Sequence, residues 1–105
     1  MQTIIIVLDA KKMTNPDLDI RYTLPERIEE FTNEAVKDNG YDYISGTKLG
    51  LWLETADCEN DVREIVELIQ TEQFLQNDLS QVAEIYISET ECAKIEACRK
   101  VYPCI

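Results

Sequence analysis

Five consecutive apolar residues, Ile4-Ile5-Ile6-Val7-Leu8, stand near the N-terminus of this 105-residue chain. A strand with one wet face alternates apolar and polar residues. An unbroken branched run of this length instead requires cover on both faces or a central place in a sheet. The run therefore predicts an interior β-strand, and the rest of the chain must supply its neighbours and a layer to pack on it. It is too short to cross a membrane and has no basic leader before it, so neither a span nor a signal peptide is expected.

The segments that follow supply candidates for those neighbours. Thr23 and Glu26 have the spacing of a capping box with Pro25 in the first turn, which predicts a helix carrying Leu24, Ile28, Phe31 and Ala35 on one side and ending at Asp38-Asn39-Gly40. YDYI and LGLWLET read as two strands joined near Ser45-Gly46-Thr47-Lys48, or as one bent strand. Within the second, Leu49, Leu51 and Leu53 point one way and Trp52 and Glu54 the other. A second helix is expected from about Asp57 to Asp61 onward, with Val62, Ile65, Val66 and Ile69 inward and Asp61, Glu64 and Glu67 outward. VAEIYIS alternates like a half-covered strand. Ser88 and Glu91 form a second capping box, predicting a C-terminal helix through Cys92, Ile95, Cys98 and Tyr102 as far as Pro103. The predicted class is α+β, a ferredoxin-like β-α-β-β-α-β sandwich with an added C-terminal helix. Without repeats or linkers, residues 1–105 read as a single domain.

Charge is unevenly distributed. The net charge is −11, and the hydrophobic fraction of 45% with few Gly and Pro is that of a folding chain despite it. Residues 1–53 carry nine acids and six bases, 54–91 eleven acids and one base, and 92–105 one acid and three bases, so the segments hold −3, −10 and +2. A solubilising surface usually mixes both signs. The middle segment does not, which makes it a candidate surface for a basic partner as well as a solvated face. Nucleic acid is excluded as a partner, because phosphates are neutralised by Lys and Arg.

Catalytic and metal signatures are missing from the sequence. With no histidine and no Cys-x-x-Cys pair, Cys58, Cys92, Cys98 and Cys104 cannot form the usual zinc patterns, and all four are expected to be reduced thiols with no cofactor. There is no G-x-S-x-G, phosphate-cradling loop or zincin motif, so no enzymatic activity is expected. The candidate partner-binding residues are Trp52, Glu54, Asp57, Glu59, Asp61, Glu64, Glu67, Glu84 and Tyr86. The aromatics and carboxylates among them share the expected open sheet face, with Tyr41 and Tyr43 nearby. The competing expectation is that the C-terminal helix, through Ile95, Cys98 and Val101, covers that face.

The carboxylate-rich ETADCENDVREIVELIQTE of residues 54–72 and the Trp52-Leu53-Glu54 strand resemble the small acidic immunity proteins that bacteria pair with secreted or contact-delivered toxins. That resemblance implies a cytoplasmic, stoichiometric inhibitor whose carboxylates steer it onto a basic toxin domain, often a nuclease, and block it. The alternative is a regulatory or structural ferredoxin-like domain that forms a homodimer through its open sheet face.

Overall fold

The computed structural model describes residues 1–103; the thiol expected at Cys104 lies outside the described residues. Five strands, β1 (Gln2–Asp9), β2 (Val36–Tyr43), β3 (Lys48–Thr55), β4 (Glu84–Ser88) and β5 (Arg99–Tyr102), form one sheet in the order β2-β3-β1-β4-β5, antiparallel at every junction. The helices α1 (Ile20–Phe31) and α2 (Cys58–Thr71) pack on one side of it. The fold is α+β.

The apolar run lies where its composition requires. β1 runs between β3 and β4, and Thr3 to Leu8 are all buried. Ile4, Ile6 and Leu8 join Leu49, Leu51, Leu53, Ile85 and Ile87 beneath the helices. Thr3, Ile5 and Val7 point to the opposite face, by the two-residue period of a strand. Each fully buried aliphatic side chain stabilises the fold by about 1.5–3 kcal/mol.

The expected start of the first helix at Thr23 is corrected. The helix begins one turn earlier, at Ile20, because the buried stripe is Ile20, Leu24 and Ile28, which needs the extra turn to reach the sheet. Pro25 therefore lies inside α1, where it removes an amide donor to the preceding turn. The helix also ends sooner than expected. Thr32 caps it, Asn33 and Glu34 turn left-handed at φ 54° and 66°, and the Glu34 amide donates back to the Glu29 carbonyl at 2.7 Å. Val36 then enters the core as the first residue of β2, and Asp38-Asn39-Gly40 is a bulge in that strand, with Gly40 at φ 98°. Helical spacing at Ala35 was outweighed by what Val36 buries.

α2 starts as expected: Asp57 caps it, accepting from the Asn60 amide at 3.2 Å. Its inward face is Cys58, Asp61, Val62, Ile65, Leu68 and Ile69. The polar stretch after it is more buried than its composition suggests. Phe74, Asn77 and Leu79 are interior, and Asn77 is cross-linked to Asn15, donating from Nδ2 to the Asn15 carbonyl and accepting the Asn15 amide, both at 2.7 Å.

The expected C-terminal helix is corrected too. Ser88 caps no helix; its hydroxyl accepts the Thr90 amide at 3.1 Å in a turn, and Cys92 is left-handed at φ 49°. The chain contains only one short helical turn here, Ile95–Ala97, and then runs as β5 beside β4. An edge partner for β4 and the half-burial of Val101 and Tyr102 outweigh helical propensity in a segment this short. Tyr102 fixes the strand by donating to the Ser80 carbonyl at 2.6 Å.

Candidate functional site

The face of the sheet away from the helices is built in rows across the strands. Trp52 on β3, Ile5 on β1, Tyr86 on β4 and Lys100 on β5 are register partners, flanked by Glu54–Thr3–Ser88 on one side and Gly50–Val7–Glu84 on the other. Trp52, Glu54, Glu84 and Tyr86 thus share one face, as expected. Gly50 allows the indole to lie along its own strand, since a Cβ there would come within 2.6 Å of the ring.

This face is covered. Residues 90–93 cross it, and the Thr3 hydroxyl donates to the Thr90 carbonyl at 2.7 Å while accepting the Ala93 amide at 3.1 Å. The Trp52 indole N–H donates to the Ala93 carbonyl at 3.0 Å. Ile5 is fully buried and Ala93 nearly so, and Trp52 and Tyr86 are half-buried. The cover expected from a helix is supplied by an irregular segment. Its backbone groups, free of a helical ladder, pair with Thr3 and Trp52.

The acidic residues divide into used and unused carboxylates. Asp61, expected on the outer face of α2, is corrected: it is 7% exposed and accepts hydrogen bonds from the Thr55 hydroxyl and the Asn60 amide group. A buried carboxylate that binds α2 to the end of β3 is unavailable to a partner. Glu59 pairs with Arg99 at 2.6 Å and Glu84 with Lys100 at 3.0 Å. The Lys100 ammonium holds the Glu84 carboxyl below the usual carboxylate range. The basic C-terminal segment thus lies against the acidic middle segment and neutralises part of it. Asp57 is engaged as the cap of α2.

What remains open is a second acidic surface that charge counting along the chain did not isolate. Glu26, Glu29 and Glu30 on α1 and Glu64 and Glu67 on α2 have no cationic partner among the described residues, and the two helices are adjacent, linked by the Arg27–Glu72 ion pair at 2.8 Å. Their carboxylates were split between segments of different net charge, so only packing reveals them as one layer.

Tyr41 and Tyr43 are corrected as well. They pair with Leu51 and Leu49 and so lie on the helix side of β2, at the edge of the sheet, 44% and 48% exposed. There Tyr41 meets Tyr22 of α1, edge to face with ring centroids 6.3 Å apart, and the Arg21 guanidinium stacks on both rings at 4.8 and 5.1 Å. Leu18 is exposed beside them, and a cavity of about 170 Å³ opens between Leu18 and Tyr43, lined also by Leu8, Met13, Ile20 and Leu49. Sequence reading missed this corner because Tyr22 looked like an incidental residue ahead of a helix start; placing the helix from Ile20 would have put it on the outer face.

Among the described residues no group of three or more Cys, Asp or Glu converges to hold a metal ion, and no helix is long and apolar enough to cross a membrane. Cys58, Cys92 and Cys98 are free thiols; burial pushes those of Cys58 and Cys98 above the ordinary cysteine range. Comparison of the chain with protein-family models, with curated proteins and with solved structures found no match.

Proposed function

We propose that this protein is a non-catalytic, cytoplasmic binding protein that recognises a basic protein partner, and that the partner is a toxin domain which it neutralises stoichiometrically. The observation that carries this reading is the helical layer, where Glu26, Glu29, Glu30, Glu64 and Glu67 share one side of the molecule and make no ion pair among the described residues. Unpaired like charges on neighbouring helices destabilise the compact state, so their retention favours use in recognition. Such a surface speeds encounter with a basic cleft by about 10–10³-fold at low salt.

The fold enters the same proposal. The order of β2-β3-β1-β4 with helices on one side supports a ferredoxin-like core to which β5 is an edge addition. In that reading dimerisation through the open sheet face is the weaker alternative, because residues 90–93 already lie against Thr3 and Trp52 on that face.

The test is binding kinetics against purified basic toxin domains, taken from a neighbouring gene where one is present, at two ionic strengths, with Glu26, Glu29, Glu30, Glu64 and Glu67 changed to glutamine. Slower association and a flatter salt dependence, with circular dichroism unchanged, are expected. Unaltered association would leave the layer as a solvated surface and end the proposal.

A further inference from the structure

Among the described residues six large apolar side chains are exposed, and four of them, Leu18, Tyr22, Tyr41 and Tyr43, gather at the corner where α1 begins and β2 ends. Scattered exposed hydrophobics need no explanation, but a contiguous set with a cavity beside it does. The corner is also ordered in a way a solvated surface does not require. Arg21, in a chain with 21 acidic residues, makes no ion pair among the described residues and instead stacks on Tyr22 and Tyr41, with its Nε buried and without a hydrogen-bond partner. Stacking at these distances, worth about 0.5–1 kcal/mol per contact at an exposed site, biases both rings toward these orientations. Tyrosine rings oriented in advance lose less entropy on binding, and tyrosines are typical interface anchors.

The surroundings specify what the corner accepts. Asp17 and Asp19 precede α1 and are exposed, and Glu26 and Glu29 follow Tyr22 at the four- and seven-residue spacing that continues its face of the helix. Strand addition at the outer edge of β2 is opposed by its bulge and by the side chains of Asp38 and Asp42, which accept the Gly40 and Tyr43 amides at 3.0 and 2.8 Å. A second copy of the chain would bring another −11 charges against the same carboxylates.

We infer that the Leu18–Tyr22–Tyr41–Tyr43 corner is the anchor site for a basic protein segment, one apolar side chain of which enters the adjoining cavity while its cations meet Asp17, Asp19, Glu26 and Glu29. The inference rests on the basic-partner reading and replaces Trp52 and Tyr86 with these residues as the anchors. The cavity, about 170 Å³, suits one side chain of benzene size, a ligand that apolar cavities of about 150 Å³ accept.

The experiment is NMR titration of the whole ¹⁵N-labelled chain with two synthetic probes, a short Lys/Arg/Ser peptide with one central leucine and the same peptide with serine in its place. Amides of residues 17–22 and 41–44 shift with the leucine peptide, which binds about tenfold or more tightly than the serine peptide, and Tyr22→Ala and Tyr43→Ala each remove about tenfold or more of that affinity while leaving the unfolding curve unchanged. Equal affinity for the two peptides, with shifts confined to residues 59–67, would overturn the anchor while leaving charge recognition standing. Failure of both peptides to bind would overturn both. Corner shifts that grow with protein concentration alone, and vanish in Tyr22→Ala, would make a second copy the occupant and overturn the basic segment.

Discussion

Trp52 and Tyr86 stand half-buried on interior strands, with Trp52 bonded to the segment of residues 90–93 that crosses their face, whereas Tyr41 and Tyr43 on the free edge strand, and Tyr22 of α1 beside them, are open. The two sets have similar composition and both neighbour carboxylates. They differ in what lies above them. A face of a central strand exposes three rows of side chains at once and draws a covering segment, while an edge strand facing a helix start has little chain left to cover it. Aromatic residues in a sequence are thus ambiguous until the path of the remaining chain is known.

That comparison can be broken first at Trp52. If the indole is structural, Trp52→Ala loses ring packing over Gly50 and the bond to Ala93, and destabilises the protein by about 2–3 kcal/mol in urea unfolding. A shift below about 0.5 kcal/mol would return Trp52 to the list of surface anchors. Gly50→Ala, which drives a methyl into the same ring, should cost about 1–3 kcal/mol.

A second measurement separates used from unused carboxylates. Asp61→Ala strands the Thr55 hydroxyl in the interior and is expected to cost about 1–3 kcal/mol, with Glu67→Gln near zero as its control. Equal effects would erase the distinction between the interior of α2 and its outer face.

The covering segment is tested more gently through β5. The pair of Glu84 with Lys100 is about one-third exposed on each side, so Lys100→Met should cost only about 0.5 kcal/mol after solvent screening. Its pH dependence has a definite sign. The folded Glu84 carboxyl lies below its ordinary value of 4.5, so the pair's contribution is fully present above that value and fades as pH falls through the lower folded value. Lys100→Met should therefore flatten the acid limb of the stability profile, and an unchanged limb would deny the pair any role. Small too is the expected effect of Tyr22→Ala on stability, within about 0.5 kcal/mol, because the ring is open. A larger loss would make the tyrosine corner a structural cluster, erasing its contrast with Trp52.

Much of the architecture was legible in the sequence for local reasons. Ile4 to Leu8 could only be interior, the leucines of β3 alternate as a strand must, and Asp57 before an amphipathic stretch marks a helix start. The capping boxes at Thr23 and Ser88 misled because a box is a local preference of about 0.5–2 kcal/mol, and burial of Ile20 in one case, or pairing with β4 in the other, exceeds it. Of the candidate site, Glu64 and Glu67 lie in the open helical layer, Glu54 shares the covered sheet face, and Asp57, Glu59, Asp61 and Glu84 are engaged within the fold.

By itself the sequence determined an interior first strand, an α+β element order as far as β4, an amphipathic acidic α2 and an excess of negative charge, since each depends on side-chain character repeated at short spacing. Only the tertiary structure decided which face of the sheet is covered, that Asp61 is interior, that the last segment is a strand, and that Tyr22 meets Tyr41 and Arg21. Each of these depends on contacts between residues far apart in the chain, whose free energy no local pattern carries.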